Sequence, residues 1–426
     1  MSQPLRVRSV VIVLGFVALV TVGPMGRLTV AAEGSTPCVK ILHREITKTA
    51  SPFYKAIYAD ATDNRLITEN RQSDDHGASW QTLRSHQIFA QGLPYGYRRH
   101  PVTAMLDPKH NRVLSIVNAL DTPDLDPKIS EPPLAQKNYY LRYRVSTDGG
   151  RTWLCDEPLT AGGDYNAQHP FADLWIGKNA IYLGDLGCRP IATQKGRVLV
   201  PAQMTVVDSP GELHQPPGAL TYTEAVVLIG EWTADHRLTW RMSQRVKGND
   251  DLSCRGMIEP TIAETMDGRI VMIMRGSNAH DANVAARKWI SVSADQGETW
   301  SSPQAWQYDD GTSFYSPSSM SSLIRHRSGR IFWVGNISPN NAHGNSPRFP
   351  LVIGELDPAS LALKRSSVVT LDDESDADRK RGRLDLSHVH LLELRPAGEL
   401  MVTYVRGLNQ YKSREFVLLR LAPSGE

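Results

Sequence analysis

The chain has 426 residues, a formal net charge of +2 and 22% charged residues. That balance argues against a polybasic nucleic-acid binder and against a protein held electrostatically on an acidic membrane surface. Hydrophobic residues make up 41%, enough for one large core, and the nine Trp and fourteen Tyr exceed the eight Phe. Such residues favour pleated, half-buried surfaces and contact with sugars.

The N-terminus reads as an export signal. Arg6 and Arg8 precede an apolar run from Val10 to Val22, and Val30-Ala31-Ala32 offers a small-residue cleavage site before Glu33. The alternative, an uncleaved anchor, is disfavoured because the run is short for a spanning helix. The expected mature protein is therefore a single domain over residues 33–426, secreted or periplasmic and without a membrane anchor after cleavage. Its oligomeric state is left open. Cys38, Cys155, Cys188 and Cys254 allow three disulfide pairings and show no CxxC spacing, so neither a metal nor a cofactor is expected.

An octapeptide follows, repeated along the chain. Its clean copies are Ser73 to Trp80, Ser146 to Trp153 and Ser293 to Trp300, all of the form S-x-D-x-G-x-[ST]-W. Thr233 to Trp240 is a worn copy that keeps Asp235, Thr239 and Trp240. The pattern predicts a hairpin in which Asp caps turn N–H groups, Gly takes a positive φ and Trp packs beneath. A second repeat runs out of phase. A turn ending in Gly or Asn plus a charged residue precedes an apolar strand at Asn111-Arg112, Gly196-Arg197, Gly268-Arg269, Gly329-Arg330 and Gly398-Glu399. A more compact unit holds Asn64-Arg65. Six units of strand and turn predict an all-β fold, a six-bladed β-propeller. The Pro- and Asp-rich stretch from Asp121 to Gln136 reads as a long loop, and the charged run from Asp372 to Arg381 as a solvated connection.

With their Asp boxes, these repeats resemble the sialidase (neuraminidase) superfamily over nearly the whole mature chain. The stretch from Ile258-Glu259-Pro260 through Asp267-Gly268-Arg269 to Met274-Arg275-Gly276 is similar to the fourth blade of a sialidase. The resemblance gives Glu259 the role of the family's catalytic Glu and Arg275 that of a substrate-binding Arg. Arg348 lies where a second carboxylate-binding Arg is expected, since guanidinium presents a planar fork to a carboxylate. The inner strand of the sixth blade, Leu386 to Leu391, places His388 where the family has its catalytic Tyr. Near the family's first-blade Arg motif stands Tyr54-Lys55, and the family's acid/base Asp loop has no counterpart before the first Asp box.

Other candidates come from the residues themselves. His100-Pro101 opens the second inner strand much as Glu259-Pro260 opens the fourth, so His100 is expected at the same axial pocket. An imidazole there suits general acid or base work. Lys55, Arg71 and Arg99 are candidates to complete a basic cluster, Arg189 is expected at the same end of the axis, and Asp121, Asp124 or Asp126 could replace the missing acid. The Asp-box residues are expected to be structural. The chemistry so assembled implies an exported sialidase-like glycoside hydrolase releasing a terminal acidic sugar, with an acidic carbohydrate as partner and no nucleic acid. Two alternatives stand beside it: a hydrolase or lyase of uronate polysaccharides, and a non-catalytic carbohydrate-binding propeller.

Overall fold

The computed structural model describes residues 37–62, 64–82, 93–126, 134–209 and 211–425; the expected export signal lies outside them. Six antiparallel sheets follow one another along the chain. Their second strands begin where the out-of-phase repeat stands, at Leu66–Ile67, Arg112–Asp121, Val198–Thr205, Ile270–Arg275, Ile331–Asn336 and Glu399–Leu408. The turn residues set each start, and the apolar run that follows is buried on both faces.

Period-2 alternation of those strands decides the architecture. Val198 and Val200 pack against the second blade, while Leu199 between them packs against the fourth. Likewise Ile57 and Ile67 meet the second blade, whereas Tyr58 and Leu66 meet the sixth. A hydrophobic cluster fills each gap between neighbouring blades. The sheets therefore close into a ring, the expected six-bladed propeller of sialidase type.

Closure comes from the two ends of the ordered chain. Strand Val39–Thr47 pairs with Ser413–Pro423, so the outermost strand of the last blade is the first in sequence. The charged run before that blade is not merely solvated. Asp372 and Asp378 are buried and receive Arg406 at 2.5 and 2.6 Å, and Arg44 of the closing strand reaches Asp372 at 2.9 Å. Asp378 also completes a capping box with Ser375 at the start of helix Asp376–Arg381.

In the third Asp box, Asp295 accepts from Thr299 N and Thr299 Oγ1, and Ser293 Oγ accepts from Gly297 N. Gln296 and Gly297 take φ of 63° and 89°, the left-handed pair of a tight hairpin. The worn copy lacks the Gly, and there only His236 is left-handed. The four cysteines are all buried and unpaired, so none of the three possible disulfide pairings is formed.

Candidate active-site cavity

The blades' inner strands line the axis, and at one end several are interrupted. Pairing of the fourth inner strand shifts register between Ile258 and Thr261, with Glu259 at φ 48°. The sixth shifts between Ser387 and His390, with His388 at φ 55°, and the second between Pro101 and Thr103. A bulge leaves a residue unpaired and re-aims its side chain, at some backbone strain. In the third blade the interruption is larger. Ile181–Tyr182 and Ile191–Ala192 both pair with Val198–Thr205, and the chain between them arches away.

That arch carries Asp185. It is pinned to the second blade by a reciprocal pair, Asn118 Nδ2 to Leu183 O at 2.9 Å and Leu183 N to Asn118 Oδ1 at 3.0 Å. Two glycines let it pack closely. A Cβ on Gly184 would stand 2.5 Å from Glu259 Cγ, and one on Gly187 would stand 2.0 Å from Ser321 O. Asp185 Oδ1 accepts from Leu186 N at 2.7 Å, and Oδ2 lies 2.9 Å from His388 Nδ1. The carboxylate thereby assigns the proton to Nδ1. His388 Nε2 has no hydrogen-bond partner among the described residues.

His388 and Asp185 border a cavity of about 760 Å³, which Lys55, His100, Tyr182 and Arg255 also line. Lys55 is left-handed at φ 65°, and among the described residues its ammonium donates only to Pro101 O, at 3.4 Å. Among the described residues Asp185 is the sole carboxylate of the lining, while Lys55, Arg255 and Arg414 are cationic side chains, and no described carboxylate is ion-paired with them. The cavity is therefore electropositive.

These surroundings set the protonation states. Burial works against the imidazolium of His388, but the hydrogen bond and charge of Asp185 outweigh it and raise its pKa. Asp185 is held below the usual carboxylate range because His388 more than offsets its burial. His100 behaves oppositely: enclosure by the cavity wall, then the charges of Lys55 and Arg98, push it down to about 4. The cavity thus biases one histidine toward the imidazolium and the other toward the neutral ring, the arrangement that separates an acid from a base.

The expected site residues divide. Lys55, His100 and His388 line this cavity. Glu259 and Arg275 lie behind Gly184 instead, locked to each other at 2.5 Å, with Arg275 Nε donating to Ser318 Oγ at 2.8 Å. Two of the Arg275 guanidinium nitrogens, Nε and Nη1, are consequently engaged. Arg348 is half-buried in the fifth blade, outside the lining, its carbonyl receiving Leu386 N at 3.0 Å. Arg71 is exposed on the third strand of the first blade and does not line the cavity. Arg99 is paired with Asp121 at 2.5 Å and lies over the Tyr140 ring, so neither it nor Asp121 serves the cavity. Asp124 and Asp126 do not line it. Arg189 is at the other end of the axis, in a separate cavity of about 370 Å³, and donates to Leu391 O at 2.7 Å. Sequence reasoning passed over Asp185 and Arg255. Their only local signals are the flanking glycines Gly184, Gly187 and Gly256, each required by close backbone approach.

A ring of six antiparallel blades carrying Asp boxes, with a polar cavity at one axial mouth, defines a propeller of the sialidase fold. Residues 131–378 match the family described as BNR repeat-like domain, and the chain belongs to that family. Solved structures agree on the fold. A protein of unknown function from Dyadobacter fermentans is similar at 15% identity and a TM-score of 0.54, over 91% of this chain and 100% of that one. A Hadza microbial sialidase is similar at 14% and 0.53, over 89% of this chain and 66% of that one. The NanB sialidase of Streptococcus pneumoniae is similar at 12% and 0.53, over 90% and 70%. No curated protein matches the chain.

Proposed function

We propose that the protein is an exported glycoside hydrolase that cleaves beside a carboxylate-bearing sugar held in the electropositive cavity. The observation that carries this reading is the Asp185–His388 hydrogen bond of 2.9 Å at the wall of a cavity shared with His100, Lys55 and Arg255. His388, protonated and oriented by Asp185, gives the Nε2 proton to the leaving glycosidic oxygen. His100, neutral, takes a proton from the water that attacks the anomeric carbon. One C–O bond breaks, one forms, and water supplies the balance. The sialidase neighbours support a sugar as substrate, while the locked Glu259–Arg275 pair argues against the catalytic role expected for Glu259 and the carboxylate grip expected for Arg275.

A second reading is favoured by the cations beside His100. Lys55 and Arg255 suit the enolate formed when a base removes the proton α to a uronate carboxylate, and His388 would protonate the leaving oxygen in that β-elimination. Incubation with sialosides and uronate polymers, followed by mass spectrometry, separates the readings. Hydrolysis adds one water per cleavage, elimination leaves an unsaturated sugar, and binding without any product would make the protein a lectin-like propeller.

A further inference from the structure

Arg255 precedes the fourth blade, in the segment Cys254-Arg255-Gly256. Gly256 has φ 64°, and a Cβ there would stand 2.2 Å from Thr223 O, so the backbone beside Arg255 is pressed against the third blade. The guanidinium is tethered through one edge only: Nε donates to Thr221 O at 3.4 Å and Nη2 to Thr221 Oγ1 at 2.8 Å. A guanidinium has five N–H donors in a rigid plane. With the Nε edge turned to Thr221, the Nη1–Nη2 end remains, and Nη1 has no hydrogen-bond partner among the described residues. No carboxylate among the described residues is ion-paired with Arg255, although Thr221 and Arg255 both line the cavity. Arg275, by contrast, has its charge paired with Glu259 through Nη1, while its Nε donates to Ser318 Oγ.

We propose that Arg255, tethered by Thr221, is the fork that binds the substrate carboxylate and sets the preference for acidic over neutral sugars. This rests on the acidic-sugar reading above and moves the grip away from Arg275 and Arg348. The Nη1–Nη2 end presents two parallel N–H groups to the two oxygens of a carboxylate. An ester or amide of the same sugar offers one acceptor and no charge, so it loses half of that contact.

Calorimetry with N-acetylneuraminic acid, D-glucuronic acid and D-galacturonic acid, each against its methyl ester, tests the assignment. The wild-type chain is expected to bind at least one acid over its ester by roughly ten- to a hundredfold. Arg255→Gln should abolish that ratio by lowering acid affinity far more than ester affinity, and Arg255→Lys should restore only part of it. Thr221→Val, which loosens the tether without touching the charge, should give an intermediate ratio and keeps the test open should Arg255 variants fold poorly. Arg348→Gln should leave the ratio unchanged. A wild-type chain that discriminates no acid from its ester overturns the acidic-sugar reading and this inference together. Discrimination that survives in folded Arg255→Gln and Thr221→Val proteins, or is lost in Arg348→Gln, overturns this inference alone.

Discussion

His388 Nδ1 lies 2.9 Å from Asp185 Oδ2 although 203 residues separate them, one on a bulge of the sixth inner strand and the other on the arch of the third. The contact crosses the propeller axis and joins two irregularities that local chain geometry alone would disfavour. Bulges and left-handed residues persist where the surrounding structure over-determines them.

Replacing Asp185 by Asn keeps the shape of the acceptor and removes its charge. His388 then loses the interaction that raises its pKa, so less imidazolium is present near neutral pH. Turnover of the cleaved glycan should fall about 10²- to 10⁴-fold, in line with loss of general acid catalysis. In the wild-type chain, activity should decline as pH rises through the raised His388 value, above the ordinary 6.5. In Asp185→Asn that alkaline limb should move to lower pH. An unmoved limb in the kcat/KM profile removes His388 from proton transfer.

His390, two residues on, is buried and donates from Nε2 to Ala56 O at 2.9 Å. Burial, then the charge of Arg189, pushes its pKa down to about 3. The unfolded chain therefore binds this proton more readily, and stability rises with pH between about 3 and 6.5. Acidifying through that window should weaken the fold by up to about 1.4 kcal/mol per pH unit from this group. His390→Gln keeps a donor for Ala56 and cannot titrate, so urea midpoints measured against pH should show a shallower acid limb.

Glu259 and Arg275 are both about nine-tenths buried. Removing one partner leaves the other charge uncompensated, so Arg275→Met should destabilise by about 3–5 kcal/mol. The double variant Glu259→Gln/Arg275→Met should recover much of that loss, because no charge is then stranded. A double-mutant cycle by chemical denaturation measures the coupling. Additive losses would show that the pair does not act as a unit.

Gly77 sits in the first Asp box at φ 90°, where a Cβ would stand 2.2 Å from Phe53 Cζ. Gly77→Ala should therefore lower stability by roughly 1–3 kcal/mol through left-handed strain and overpacking. The box is on an outer hairpin and contributes no residue to the cavity lining. Melting temperature should fall while kcat/KM of the folded protein stays unchanged.

Residues adjacent in sequence announced the fold. Each Asp box is closed by contacts within eight residues, such as Asp295 to Thr299, and each second strand begins at its own turn. Such signals need only local hydrogen bonding and period-2 alternation, so six blades were legible in the chain. His100 was also found, from its place before Pro101 at a strand mouth, and Lys55 and His388 from the resemblance of their segments to sialidase blades. The site's electrostatics were decided by tertiary structure. Whether an arginine is free or occupied depends on a carboxylate brought to it from elsewhere. Arg275 is quenched by Glu259, Arg99 by Asp121, and Arg255 is left open because its neighbour Thr221 has no charge. Asp185 became the partner of His388 only when ring closure brought the third and sixth blades across the axis. Coulomb and hydrogen-bond energies act over a few ångströms in space, and separation along the chain does not encode that distance.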